Sequence, residues 1–394
     1  MKAIKHFSIF LLLSLAFSVS AQLTWTQKAN FSSGRYEDFG VSLGNCGYIG
    51  TGYSTSQQSD FRQYNVVTDS WTQKQSLATA RDKATAFSIN AYVYVGLGYY
   101  SSVLNDFWKY DTTANTWSAI AQFPGSSRAS ASSFVIGNYA YVGLGQVSVS
   151  SYLSDFYRYD PQTNTWTSVA SFPGGVRCGA FSFAINGKGY VGCGYSNTGT
   201  PIYYGDFWEY DPIANTWTQK ADFAGGPRWY GVGLTVGNRG YAGTGLNSTT
   251  TYFSDLWQYT PSTNSWQLMN TPDAFMRWAA ASFSIGNKGY IGTGYYSTSV
   301  LLNDLWEFVP FDVAITESHN SEVNVSIINN QLHVFGIKSS DIIKNIRLVE
   351  PSGKQIKQWK YEEGAVYDVS QFSSGIYLVQ IEMNSGNKVV KLMK

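Results

Sequence analysis

The sequence predicts an all-β protein, a six-bladed β-propeller closed by its N-terminal strand and followed by a small C-terminal β-sandwich. Three observations predict it: a four-strand motif recurring six times at intervals of 46 to 51 residues, an aromatic composition poor in charge, and a change of character after about residue 310. The 394 residues include 16% aromatics and 38 Gly but only 13% charged side chains, against the roughly 25% usual in soluble domains. Such a chain buries a large core, which excludes disorder. With 27 Lys+Arg against 26 Asp+Glu there is no cationic surplus for a phosphate backbone, so nucleic acid is excluded as a partner.

Each repeat opens on an arginine: Arg35, Arg81, Arg128, Arg177, Arg228 and Arg277. Apolar residues follow six and eight positions later, as in Val41 and Leu43 or Phe183 and Ile185, and then a pair such as Gly44-Asn45 or Asn186-Gly187. Alternation that ends on such a pair reads as a strand entering a tight hairpin. The second strand carries Tyr48, Tyr94, Tyr141, Tyr190, Tyr241 or Tyr290 and runs into Gly-x-Gly; the third opens with an acid and an apolar residue, from Asp60-Phe61 to Asp304-Leu305. A turn such as Asp160-Pro161-Gln162-Thr163-Asn164 uses the fixed φ of proline and the left-handed tolerance of asparagine. The fourth strand holds Trp71, Trp117, Trp166, Trp217 or Trp266.

A single four-stranded sheet buries neither face alone, so units of this period stack radially. After Phe308 no fourth strand with tryptophan appears; the missing one stands at the front, where Leu23-Thr24-Trp25-Thr26-Gln27-Lys28 matches Asn215-Thr216-Trp217-Thr218-Gln219-Lys220. The N-terminal strand is therefore expected to complete the last blade.

The recurring Asp-Phe-Trp-x-Tyr-Asp, Asn-Thr-Trp, arginine and glycine-containing strand end resemble the kelch family over residues 23–309. The adjacent glycines typical of that family are split here, as in Gly50-Thr51-Gly52. The tail, 310–394, is poorer in tryptophan and tyrosine and richer in Lys and Glu, with alternating runs such as Val323 to Ile327 and Ile376 to Ile381. Its ending, Ser374-Gly375-Ile376-Tyr377-Leu378-Val379 to Lys394, and its Gly353-Lys354 turn resemble the type IX secretion sorting domains of Bacteroidota, although their usual Pro-Asn-Pro opening is missing. The resemblance implies export across the outer membrane with the secretion machinery as a partner. At the other end Lys2 and Lys5, the apolar run Phe7 to Phe17 and the small residues Ser18 to Ala21 read as a signal peptide, 1–21. The run is shorter than the ~20 residues a spanning helix needs, and no later stretch reads as a transmembrane segment. The domains expected are thus the leader, a propeller over 22–309 and a sorting sandwich over 310–394.

Three cysteines are not a disulfide framework. A Cys178–Cys193 bridge is one reading, and three small buried residues, Cys46 included, is the preferred one.

For function, the connections from second to third strand and the segments at each arginine are expected on one side. Those connections are Tyr53–Ser59, Tyr99–Asn105, Gln146–Ser154, Tyr195–Gly205, Leu246–Ser254 and Tyr295–Asn303, and none contains Asp, Glu, Lys, Arg or His. They are built of Ser, Thr, Asn, Gly and Tyr, the adaptable set found in recognition loops. Rings that cover apolar faces and hydroxyls that pair with polar edges suit a neutral glycan; plain solvated loops are the competing reading. The kelch resemblance implies a binding role for the six arginines near the channel mouth, while their recurrence in every blade and the recurring Asp favour a structural Arg–carboxylate bond. The residues after each arginine differ between blades, so Trp229, Tyr230 and Trp278 of the fifth and sixth are expected as an aromatic side and Glu37 and Asp82 of the first and second as an acidic one, with Tyr36 also among the binding residues. 

Two enzymes of related fold were weighed. Galactose oxidase-type copper chemistry is excluded because the three histidines, His6, His319 and His333, all lie outside the propeller. A kelch-type sialate mutarotase or epimerase would need a proton-transfer residue, for which Glu37 and Asp82 are the weak candidates. No metal site, phosphate loop or nucleophile motif is present, and no cofactor is expected. The expectation is a secreted or surface-held binding protein, without catalysis, that recognises a glycan or a surface protein through its loop-rich face.

Overall fold

The computed structural model describes residues 23–248, 251–296, 300–310, 324–328, 330–335, 342–350, 355–372, 376–383 and 386–393. The signal peptide over 1–21, His6, His319 and the Gly353-Lys354 turn lie outside the described residues. Every regular element described is a β-strand, and no helix is long and apolar enough to cross a membrane among the described residues.

The chain divides into two compact units. In the first, the expected repeat appears as four-stranded antiparallel sheets. One consists of Phe39–Leu43, Cys46–Gly50, Phe61–Asn65 and Ser70–Lys74, in that order. Four more follow the same plan, beginning at Thr85–Ile89, Ser132–Ile136, Phe181–Ile185 and Val232–Val236. A further sheet contains Ala281–Ile285, Lys288–Gly292 and Leu305–Pro310.

Burial follows strand order. Second strands such as Tyr92–Gly96 are buried along nearly their whole length, whereas fourth strands such as Ser70–Lys74 are mostly exposed. Between neighbouring sheets the core is aromatic. Phe134, for instance, stacks on Tyr141 of its own sheet and lies 6.2 Å from Tyr210 of the next. Each blade thus supplies half of two cores, the physical reason the unit must repeat.

Two series of backbone hydrogen bonds join the first strands near the axis. In one, Lys83 N–H donates to Glu37 O, Ser130 to Lys83, Gly179 to Ser130, Tyr230 to Gly179 and Ala279 to Tyr230, and Glu37 N–H then donates to Ala279 O. All six residues take left-handed φ between 49° and 60°, a conformation that costs a non-glycine residue roughly 1 kcal/mol and persists only where its surroundings over-determine it. In the other, the last glycine of each Gly-x-Gly donates to the arginine carbonyl of the following blade, from Gly52 to Arg81 through Gly294 to Arg35.

The first glycine of that motif is required by contact with the third strand. A Cβ on Gly243 would lie 2.1 Å from the carbonyl oxygen of Asp255.

The second unit holds a three-stranded sheet, Asn324–Ile328, Gln331–Phe335 and Val366–Asp368, and a four-stranded sheet ordered Gln355–Lys360, Ile343–Val349, Ile376–Met383, Gly386–Met393. Leu332 and Tyr367 from one sheet and Ile346, Val379 and Ile381 from the other share one core.

Gly243→Ala should cost about 2–4 kcal/mol, because the clash is with backbone that cannot swing aside. Equilibrium denaturation read by tryptophan fluorescence checks it; an unchanged midpoint would contradict the close approach.

Candidate functional site

The six arginines lie inside the blades. Each is 0–1% exposed, and each guanidinium is paired with the aspartate that opens the third strand: Arg35–Asp60, Arg81–Asp106, Arg128–Asp155, Arg177–Asp206, Arg228–Asp255 and Arg277–Asp304 at 2.5–2.8 Å. In all six the pairing is two-pronged, and Nη1 also donates to the carbonyl of the middle residue of Gly-x-Gly, as Arg81 does to Leu97 O at 2.9 Å. Rings cover the planes: Phe31, Phe123, Phe172, Phe223 and Phe275 lie 4.5–4.8 Å from five of the six guanidiniums. The carboxylates are shared, since Trp108, Trp208, Trp257 and Trp306 donate indole N–H to their own blade's aspartate. Burial opposes ionisation of Asp106, yet the Arg81 and Trp108 donors outweigh it and hold its pKa below the ordinary value. These contacts occupy the charged face of every arginine.

Function-bearing variety begins one residue later. Tyr36, Asp82, Ala129, Cys178, Trp229 and Trp278 each exchange two backbone hydrogen bonds with the first residue of a long connection, respectively Tyr53, Tyr99, Gln146, Tyr195, Leu246 and Tyr295. The bridges fix where each loop begins on the channel rim. Rings form a continuous arc over much of that rim. Tyr195 lies 4.5 Å from Trp229, Trp229 4.6 Å from Tyr230, Tyr230 5.5 Å from Trp278 and Trp278 5.3 Å from Tyr36, with Tyr53 and Tyr295 against Tyr36. Trp229 and Trp278 are half-buried rather than enclosed between blades. Large apolar side chains of the propeller that stand exposed concentrate on the same loops: Tyr99, Tyr100, Val149, Ile202, Tyr296 and Val300.

The expected acidic wall is not open. Glu37 is 8% and Asp82 3% exposed. Lys83 Nζ lies 3.4 Å from Glu37 Oε2, and Gln57 Nε2 donates to Asp82 Oδ2 at 3.2 Å. Burial raises the Glu37 pKa to about 7, with Lys83 opposing it, and raises that of Asp82. Asp38, not singled out by the sequence, is pushed up to about 8 by burial against the opposing Arg35 charge and the Thr293 hydroxyl.

One residue deeper, side chains meet across the axis. Ser130 and Tyr230, 100 positions apart, have oxygens 2.6 Å apart, and Tyr230 and Glu37 line the same chamber. Lys83 stands beside Glu37, so Ser130, Tyr230, Glu37 and Lys83 lie in one layer. Tyr230 passes over Gly179, where a Cβ would sit 3.4 Å from its ring. A chamber of about 130 Å³ is lined by this layer and by Asp38, Ala84, Ala131, Ala180, Gly231 and Ala280.

The cysteines are free. Cys178 and Cys193 are buried, Cys178 facing Tyr195 across the rim bridge, and Cys46 is only half-buried because it starts a strand at a hairpin. Burial pushes the Cys193 thiol up to about 12, which makes it inert near neutrality. No group of His, Cys, Asp and Glu able to hold a metal occurs among the described residues.

The sequence model of the Attractin/LZTR1 β-propeller family matches residues 47–306, two thirds of the chain, and that of the secretion system C-terminal sorting domain matches residues 313–394. A sorting domain of this kind directs a protein out of the cell or onto its surface, so this protein is secreted or surface-located. The solved structure of YjhT is similar over 78% of this chain and 99% of its own, with a TM-score of 0.62 and 16% identity. No curated protein matches the chain.

Arg177→Met should destabilise the fold by about 3–5 kcal/mol, because it strands a carboxylate and a carbonyl; a denaturant midpoint near that of the unaltered protein would contradict this. Glu37 and Asp38 both titrate higher in the folded state than in the unfolded chain, so the folded state binds more protons and stability falls as pH rises from about 4.5 to about 8. Melting temperatures taken across that window should decline, and Glu37→Gln with Asp38→Asn should flatten the decline.

Proposed function

Because the chain belongs to the Attractin/LZTR1 β-propeller family and ends in a sorting domain, we propose that it is a non-catalytic binding protein whose loop face recognises a neutral glycan. We read the propeller, 22–309, as six blades with Leu23–Lys28 as the outer strand of the sixth, and 310–394 as the sorting sandwich. The two axial hydrogen-bond series, which return from the sixth repeat to the first, support the six-blade reading.

The observation that carries the binding role is the aromatic arc from Tyr195 to Tyr53, set among connections without a charged residue. Amphipathic rings present apolar faces to sugar C–H surfaces, and the Ser, Thr and Asn of the loops supply donors and acceptors at low electrostatic cost. A protein partner would be steered by charge, which the loops lack. The six arginines act here as scaffold for the rim, and Tyr36, Trp229, Tyr230 and Trp278 as its contact surface.

Glu37 favours a second reading, a sugar mutarotase or epimerase, since a carboxyl with a pKa of about 7 exchanges protons readily near neutrality. The chamber of about 130 Å³ is small beside the 300 Å³ or more of ordinary ligand pockets, so a sugar would meet Glu37 only from the rim.

A glycan array probed with the full chain should return neutral oligosaccharides, and Trp229→Ala or Trp278→Ala should weaken the best of them at least tenfold. Silence on the array with capture of a single surface protein would replace the glycan by a protein partner. Anomeric turnover abolished by Glu37→Gln would establish the second reading.

A further inference from the structure

The loop face contains two different places for a glycan: across the loop tips, where a chain would lie lengthwise, and down into the rim, where only its end would fit. The rim is walled by Tyr36, Trp229 and Trp278, all half-buried, and narrows to the layer in which Ser130, Tyr230, Glu37 and Lys83 meet. Tyr230 reaches from the fifth repeat to Ser130 of the third, Glu37 and Lys83 come from the first and second, and the chamber lined by the same groups is too small to continue a sugar chain.

The polar layer also differs chemically from the walls. The Lys83 side chain is 23% exposed, while that of Glu37 at 6% is enclosed. The ammonium, with its three N–H donors, lies 3.4 Å from Glu37 and 5.8 Å from the centre of the Tyr99 ring, near Asp82. A floor of this kind suits hydroxyl oxygens arriving from above, and walls of rings suit the two faces of a pyranose.

Resting on the glycan reading above, we propose that the protein captures the terminal unit of a neutral glycan end-on, rings of the rim flanking that unit and Lys83 and Tyr230 meeting its hydroxyls at the floor. Lys83 and Tyr230 are then specificity-determining, and the exposed loop-tip residues contribute little.

The test uses the full chain and neutral oligosaccharides that bind on the array, titrated by calorimetry as sets of two to six units and as the same compounds with their terminal units blocked by a bulky substituent. Capture of an end predicts that affinity levels off within two or three units and falls about tenfold or more on blocking the recognised end, and that Lys83→Met and Tyr230→Phe each weaken binding about tenfold. Affinity that keeps rising with length, with blocked and free ends binding alike, would overturn end-on capture while leaving glycan binding intact. Absence of binding to every glycan would sink the parent reading. The comparison of blocked with free ends is made on the unaltered protein, so it stands even if a variant fails to fold.

Discussion

The bond between each arginine and the aspartate of its own blade is the constraint from which the rest of this structure follows. It joins the start of the first strand to the start of the third, and through the Gly-x-Gly carbonyl it also grips the end of the second. Three strand ends are thereby pinned at one point, next to the axis. A buried ion pair is poor evidence of net stability, because desolvation offsets much of the attraction. Its value here is positional: the planar fork dictates geometry in six places, and the residue after the arginine emerges at the same height in every blade.

On that frame the rim is free to vary. Six equivalent backbone positions carry Tyr, Asp, Ala, Cys, Trp and Trp, so a repeated scaffold displays an unrepeated surface. The loops begin where the backbone bridges place them, and a few of their residues, such as Tyr204 and Phe253, pack back onto the arginines. Aromatic and hydroxyl residues have accumulated there while ionised ones are absent, in a molecule secreted or held at the surface.

Most of the fold was legible in the sequence because its determinants are local and recur. The spacing from arginine to aspartate, the alternation around Phe87 or Phe183 and the tryptophan of the fourth strand each report on contacts within a blade or with its neighbour. The arginine's structural partner could be anticipated for the same reason. The site was legible only in part. Tyr36, Trp229 and Trp278 do converge on the rim, but Glu37 and Asp82 were expected to be open and are instead enclosed and paired. The Ser130–Tyr230 contact spans 100 positions and two blades, and no periodic pattern reports on a pairing that occurs once. The one available sign was the offset of two after each arginine, where Glu, Lys, Ser, Gly, Tyr and Ala stand in register.

That single axial linkage has a consequence for how the repeats relate to one another. Viewed only through their sheets they are interchangeable wedges, and reshuffling their order would yield much the same propeller. Ser130, Tyr230, Glu37 and Lys83 come from four different wedges and meet only because those wedges stand in the present succession, with a glycine beneath the tyrosine as it crosses. Exchanging two blades would not preserve this arrangement; the succession of blades is itself encoded in the contacts next to the axis.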